Sequence, residues 1–171
     1  MARGYEPRLN RQASAWALIG IPAASVMLGS LTVLIPNIAV YPMLPPVGLL
    51  LLLAWRMLVR DLWPTWVALP LGFFDDLFSG QPMGSAMLLW TLVFLILDIL
   101  DRWMMWRDYR QDWIIASVLI AIVLALSLAI SNSAGGATSG WLLLPQMLAS
   151  ALAFPMAVRI CARLDRLRWQ L

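Results

Sequence analysis

The sequence contains no histidine and no lysine, so all twelve of its basic residues are arginine. Without histidine, the chain lacks the side chain that most often shuttles protons and binds transition metals near neutral pH. Without lysine, it has no amine for a Schiff base or for general-base catalysis. The single cysteine, Cys161, excludes an internal disulfide, and without a partner thiol we interpret it as inert. The sequence therefore predicts a protein that is not an enzyme and that holds no metal or cofactor.

Charge is also scarce, since only 12% of the 171 residues are charged whereas 62% are hydrophobic. Such a chain cannot surround a buried core with a water-facing shell, which predicts an all-α integral membrane protein. The net charge of +3 does not indicate nucleic acid, because the arginines are scattered beside apolar stretches instead of gathered on one face. Their expected partner is the lipid bilayer, at its anionic inner leaflet.

Long apolar stretches are what the chain has in abundance. A membrane-spanning helix needs about 20 apolar residues, somewhat fewer when flanking side chains reach the interface. Six stretches fit this requirement: 13–35, 41–59, 62–78, 82–100, 113–130 and 141–160. Only Arg60 and Asp61 separate the second from the third. The predicted fold is a six-transmembrane-helix bundle over residues 13–160, between a tail of residues 1–12 and a basic tail of residues 161–171.

The positions of the arginines predict the orientation of this bundle. Arginines precede the first stretch, close the second, follow the fourth and end the chain, while the alternate connections have none. They are Arg3, Arg8, Arg11, Arg56, Arg60, Arg102, Arg107, Arg110, Arg159, Arg163, Arg166 and Arg168. Under the positive-inside rule, both tails are therefore cytoplasmic. The first stretch is longer than the apolar region of a signal peptide, so we expect it to be retained.

Tryptophan supports the same orientation, because its amphipathic ring prefers the membrane interface. Six tryptophans fall near the proposed inner interface: Trp16, Trp55, Trp63, Trp103, Trp106 and Trp113. Trp141 would mark the outer interface. Trp90 lies in the middle of the fourth stretch, and we interpret it as a packing residue.

Two adjacent carboxylates, Asp75 and Asp76, interrupt the apolar third stretch, where charge is costly. A rise of about 1.5 Å per residue puts Asp76 about 22 Å along a helix that starts at Asp61, at a depth where no arginine is predicted. The pair is expected to share a proton or to accept hydrogen bonds from the amides of the turn at 79–84. Three interpretations remain open: a helix end in interfacial water with Pro82 starting the next helix, a contact with another protein, and a proton or cation site.

Small residues recur every four positions in the last two stretches. The two sets are Ala121, Ala125 and Ala129, and Ala149, Ala153 and Ala157. Each set lines one face of a helix, and small faces let membrane helices approach closely. They predict either packing of these two helices on each other or a docking face for a partner's membrane helix. Asp98 and Arg102 are four apart, which predicts an ion pair at the inner interface.

The segment around the acid pair has the pattern Gly72-x-x-x-Asp76-Leu77-Phe78-Ser79-Gly80-x-Pro82-Met83-Gly84. It resembles the signature segment of the bacterial rod shape-determining protein MreD family, which is also similar in chain length, six-span layout and charged loop after the fourth span. Asp76 stands where the family has its typical aspartate, whereas Asp75 replaces a more usual apolar residue. The resemblance thus marks Gly72, Asp75, Asp76, Gly80, Pro82 and Gly84 as partner-binding or functional residues.

This resemblance implies a non-enzymatic scaffold or regulator of the rod (elongation) complex in the bacterial inner membrane, acting in peptidoglycan synthesis and cell shape. The implied partners are MreC, through its single membrane helix, and RodA, a class B penicillin-binding protein and MreB. The family is also related in fold to the substrate-binding components of energy-coupling-factor vitamin transporters. That relation implies an alternative, a small-molecule-binding protein in which the two aspartates and Trp90 line a pocket open to the outside.

Overall fold

A computed structural model of the chain describes residues 15–34, 45–60, 62–104, 108–136 and 140–168. Within these ranges, helices are the only regular secondary structure, which confirms the all-α prediction there. The six α-helices are α1 (Ala15–Ser30), α2 (Val47–Leu58), α3 (Ala68–Ser79), α4 (Ser85–Trp103), α5 (Tyr109–Ser133) and α6 (Leu143–Arg168). Short 3-10 helices cover Leu31–Leu34, Thr65–Val67 and Gly140–Leu142. The tail at 1–12, Trp106 and Arg107, and the predicted helix limits at 13, 35 and 41 lie outside the described residues.

Two of these helices, α5 and α6, are long and apolar enough to cross a membrane. The segment Leu18–Leu34 and α2 are apolar but shorter. In α4, three charged residues occupy the last turns, Asp98, Asp101 and Arg102. The described residues therefore form a bundle of six α-helices with two potential membrane spans, and the six-span arrangement stays a prediction.

Helix α2 forms the centre of the bundle and contacts α1, α5 and α6. All its residues from Gly48 to Met57 are buried, including a run of five leucines. A helix that is apolar on every side needs neighbours on every side, and the central position provides them. Trp55 belongs to this buried helix and is fully inaccessible, so its ring packs in the core, and its depth near the inner interface stays a prediction. Its indole N–H is nonetheless satisfied, because it donates to the hydroxyl of Ser25 over 2.8 Å.

The other tryptophans whose side chains are described divide between core and surface, and the side chain of Trp16 lies outside that set. Trp63 is also buried, whereas Trp103 and Trp141 are 85% and 80% exposed. Trp90 is 2% exposed within the core, which confirms that it is a packing residue.

Two prolines lie beyond the first turn of a described helix, Pro22 in α1 and Pro155 in α6. Proline has no N–H, so the carbonyl four residues earlier loses its intrahelical donor. In α1 this carbonyl belongs to Leu18, and the Nη1 of Arg168, at the end of α6, donates to it over 3.1 Å. In α6 the carbonyl that Pro155 frees belongs to Ala151, and the indole N–H of Trp113 on α5 donates to it. Each of the two freed carbonyls thus obtains a side-chain donor from another helix. The prolines therefore join α6 to α1 and to α5.

Candidate functional site

The carboxylate of Asp76 is buried and accepts four hydrogen bonds from the start of the next helix. Its Oδ2 accepts the backbone N–H groups of Gly84 (3.0 Å) and Met87 (3.1 Å). Its Oδ1 accepts the N–H of Ala86 (2.8 Å) and the hydroxyl of Ser85 (3.1 Å). The predicted bonding of the acid pair to backbone amides is confirmed for Asp76, with donors that extend from Gly84 into the first turn of α4.

The reason for this arrangement is the unsatisfied N–H groups at the start of every α-helix, which also bear a partial positive charge. A side chain at the N-cap usually accepts some of them, but the N-cap of α4 is Gly84, which has none. Asp76 supplies the acceptor from α3 instead. The helix start thus provides the positive partner that the sequence did not reveal.

Gly72 lies one helical turn before Asp76 and faces the same part of α4. A Cβ atom at this position would lie 2.6 Å from the Cα of Met87 and 2.8 Å from the carbonyl oxygen of Ala86. Only glycine lets the two backbones come so close. Gly72 and Asp76 therefore act together: the first permits the approach and the second accepts the N–H groups that the approach presents.

The turn between α3 and α4 depends on two glycines with positive φ. Gly80 ends α3 at φ 67° and Gly84 precedes α4 at φ 93°, both in the left-handed region where a side chain is strained. The carbonyl of Pro82 accepts the N–H of Ser85 over 3.1 Å. We predicted that Pro82 begins the next helix, but α4 begins at Ser85, because the left-handed Gly84 interrupts the helical path.

A polar contact that sequence reasoning missed joins this turn to α5. The hydroxyl of Ser127, buried on α5, donates to the side-chain oxygen of Gln81 over 2.6 Å. The available signal was the presence of one serine on the apolar face of a membrane-type helix, where a hydroxyl needs a partner. The α3–α4 hairpin is thereby held by α5 as well as by its own turn.

Asp75 points away from its neighbour. Its half-buried carboxylate faces the hydroxyl of Ser30 on α1, and a Cβ atom on Gly48 of α2 would lie 3.2 Å from its Oδ1. The two adjacent aspartates therefore contact different helices. Asp76 accepts hydrogen bonds from α4, and Asp75 lies beside Ser30 of α1 and Gly48 of α2.

Three apolar side chains of the hairpin are exposed. Phe73 and Leu77, four apart on α3, are 47% and 50% exposed, and Met83 in the turn is 72% exposed. We call these three residues the hairpin surface. The segment 72–84 thus combines the buried Gly72 and Asp76, which hold α3 against α4, with three exposed apolar side chains.

The alanine sets are placed differently on the two helices. On α6, Ala157 is buried and Ala149 and Ala153 are half-buried. On α5, Ala121 is half-buried, but Ala125 and Ala129 are exposed. Although α5 and α6 contact each other, the structure brings only the α6 set towards the bundle interior.

A second polar cluster, absent from the sequence predictions, surrounds Arg56 at the other end of α4. This arginine of α2 is 5% exposed, and its Nη2 lies 2.5 Å from Asp98 Oδ1 and 3.0 Å from Asp101 Oδ2. Its Nη1 donates to the carbonyl of Arg60 over 2.7 Å, and its guanidinium lies 5.9 Å from the ring centre of Phe94. Several contacts together compensate for removing this charge from water.

Asp98 was predicted to pair with Arg102, four residues away. The structure instead gives Asp98 two partners from elsewhere in the chain, Arg56 and the hydroxyl of Thr65. Arg102 is exposed. The fold brings the buried guanidinium of Arg56 to the Asp98 carboxylate in place of the exposed Arg102. The attraction between opposite charges is stronger where water is excluded than at an exposed position.

The chemistry of the Asp76 site follows from its hydrogen bonds. A general base or nucleophile needs an oxygen free to reach a substrate, whereas each oxygen of Asp76 already accepts two hydrogen bonds. The site therefore joins α3 to α4.

Comparison with models of protein families, with curated proteins and with solved structures gives no match.

Proposed function

We propose that the protein is a non-enzymatic scaffold of the bacterial inner membrane that binds MreC and coordinates peptidoglycan synthesis within the rod complex. RodA, a class B penicillin-binding protein and MreB are the other members of the proposed assembly. The observation that supports this best is the complete commitment of the Asp76 carboxylate to the start of α4. The segment that resembles the MreD signature builds a fixed hairpin, which suits a docking element better than a reactive site.

The proposed contact with MreC lies on the hairpin surface. Helices associate in a membrane through close van der Waals packing on a surface of defined shape. Gly72 and Asp76 give the hairpin that defined shape, and Phe73, Leu77 and Met83 present apolar groups on its exposed side. In the proposed orientation, with both tails cytoplasmic, this hairpin turns towards the outer side of the membrane.

No observation favours the vitamin-transporter alternative. Trp90 is buried among core side chains, and Asp76 has no oxygen left to orient a ligand. Both residues had been assigned to an outward pocket in that alternative.

Site-specific photo-cross-linking tests the proposal. A photo-reactive amino acid replaces Leu77 on the hairpin or, as the control, Leu152 on α6, which is 74% exposed. We expect a cross-link to an MreC-type protein from position 77 in native membranes and none from position 152. Both sites are exposed and apolar, so a difference reports on position and not on access to lipid.

The outcomes against the proposal are distinct. Cross-linking to MreC from position 152 alone would move the contact away from the hairpin. Failure to recover MreC from either position, together with its absence after mild co-purification of the intact protein, would contradict the scaffold function itself.

A further inference from the structure

The end of the bundle away from the hairpin contains an open cleft of about 390 Å³, and the described residues that line it are all charged. They are Arg56, Arg60, Asp98, Asp101 and Arg102, which give one net positive charge. Asp98 follows Ser85 by thirteen positions on α4, which puts the cleft about 20 Å from the hairpin turn. The proposed scaffold function uses none of these residues.

The charges in the cleft are not equivalent. Asp98 and Asp101 both lie against the buried guanidinium of Arg56, and Asp98 also accepts the hydroxyl of Thr65. These two carboxylates are therefore matched by protein groups at the floor of the cleft. Arg60 is half-buried and Arg102 is exposed, so their guanidinium groups set the potential at its rim.

Helix ends near the cleft would oppose an anion if their carbonyls were unoccupied, since the C-terminal end of a helix has a partial negative charge. Three of these carbonyls already accept hydrogen bonds. The backbone N–H of Val59 donates to the carbonyl of Trp55, and the N–H of Met104 donates to the carbonyl of Leu100. The Nη1 of Arg56 donates to the carbonyl of Arg60. These three carbonyls are therefore not free to repel an anion at the rim.

We propose that this cleft binds a phosphate group between Arg60 and Arg102, presented by the headgroup of an anionic membrane lipid. The planar guanidinium offers parallel N–H donors that match two oxygens of a phosphate. The cleft opens to the surface and leaves room for the glycerol attached to that phosphate. In the proposed orientation it faces the cytoplasmic leaflet, where anionic lipids are concentrated and where basic pockets between helices bind their headgroups.

The test is lipid titration of the full-length protein in neutral detergent, followed by native mass spectrometry. The probes are phosphatidylglycerol, phosphatidylcholine as the neutral lipid, and inorganic phosphate as the soluble source of the same chemistry. We expect the protein to retain phosphatidylglycerol in preference to phosphatidylcholine. Arg102→Gln and Arg60→Gln should each weaken this binding about fivefold, as expected for one arginine at a lipid headgroup.

Arg163→Gln is the matched control, because Arg163 is exposed on α6 and does not line the cleft. An equal loss of binding in this variant would show general attraction to charge and overturn the site, as would phosphatidylglycerol binding that neither cleft variant weakens. Binding of inorganic phosphate that depends on Arg60 and Arg102 and displaces the lipid would confirm the phosphate site and assign it to a soluble ligand. Should one cleft variant fail to fold, the other decides, since the two residues lie on separate segments.

Discussion

The indole N–H of Trp113 donates to the carbonyl of Ala151 over 2.9 Å, and this is the carbonyl that Pro155 leaves without an intrahelical donor. A helix defect created by one residue is thus satisfied by a side chain from a neighbouring helix. In the apolar part of a membrane an unpaired carbonyl is costly, because no water is present to bond it.

This relationship predicts an energetic coupling between Trp113 and Pro155. Trp113→Phe keeps an aromatic ring but removes the donor, and it should lower the free energy of unfolding by about 1 kcal/mol. In a Pro155→Ala background the restored N–H can serve Ala151, so the same change should cost much less. Thermal unfolding in detergent of the four proteins of this double-mutant cycle measures the difference. Equal costs in both backgrounds would show that the hydrogen bond contributes nothing.

Replacing Asp76 should destabilise the hairpin in proportion to the acceptors removed. Asp76→Leu leaves three backbone N–H groups and one hydroxyl without their acceptor, and we expect a loss of about 3 kcal/mol or more. Asp76→Asn keeps one oxygen acceptor but turns an NH₂ group towards the remaining donors, so it should fall between Leu and the wild type. The measurement is thermal unfolding of the purified variants. Full stability of the Leu variant would mean that α4 does not need this acceptor.

Gly72→Ala and Gly80→Ala should differ in cost for distinct physical reasons. A Cβ on Gly72 would press against the backbone of α4, and overfilling of this kind costs about 1–3 kcal/mol. A Cβ on Gly80 meets nothing within 4 Å, and its cost of about 1 kcal/mol comes from the left-handed backbone alone. We therefore expect the larger decrease in melting temperature for Gly72→Ala. A reversed order would contradict the close approach of α3 and α4.

Removal of the Arg56 cation should be more damaging than removal of any arginine at the surface. Arg56→Met leaves the carboxylates of Asp98 and Asp101 without this cation in a mostly buried cluster, at an expected cost of about 3–5 kcal/mol. Arg166→Met, at an exposed position of α6, serves as the control and should be close to neutral. Yield and unfolding temperature in detergent distinguish them. Similar stability of the two variants would show that the buried cluster is not structural.

The orientation of the bundle is open to a direct test. The arginine distribution predicts that the end of α6 is cytoplasmic. A reporter that is active only in the cytoplasm, fused after residue 171, should therefore be active, and one that requires the periplasm should not. Periplasmic activity would contradict an even number of crossings.

The sequence predicted the features that depend on local chemistry. The bonding of Asp76 to backbone amides followed from a carboxylate beside a Gly/Pro turn, and the packing role of Trp90 followed from its place inside an apolar stretch. Both predictions require only the neighbouring residues in the sequence and the general free-energy cost of burying an unpaired charge.

Features that depend on which face of a helix is buried were not predicted. In helices apolar on nearly every side, periodicity does not mark the inward face. The sequence therefore did not indicate that the ring of Trp55 packs in the core, and the alanine spacing gave no sign that Ala157 is buried while Ala125 is exposed. Asp98 was matched to Arg102 because they are four apart, whereas its partner Arg56 is 42 residues away.

The hydrogen bond from Arg168 to Leu18 spans 150 positions of the chain, which gives it a consequence for biosynthesis. The first helix leaves the ribosome long before its donor is translated, so the Leu18 carbonyl must wait for the last turn of α6. Until then, the carbonyl that Pro22 leaves without an intrahelical donor also lacks this side-chain donor. Closure of α1 against α6 is thus a late event in assembly, and a chain released before residue 168 would lack this means of holding its first helix in place.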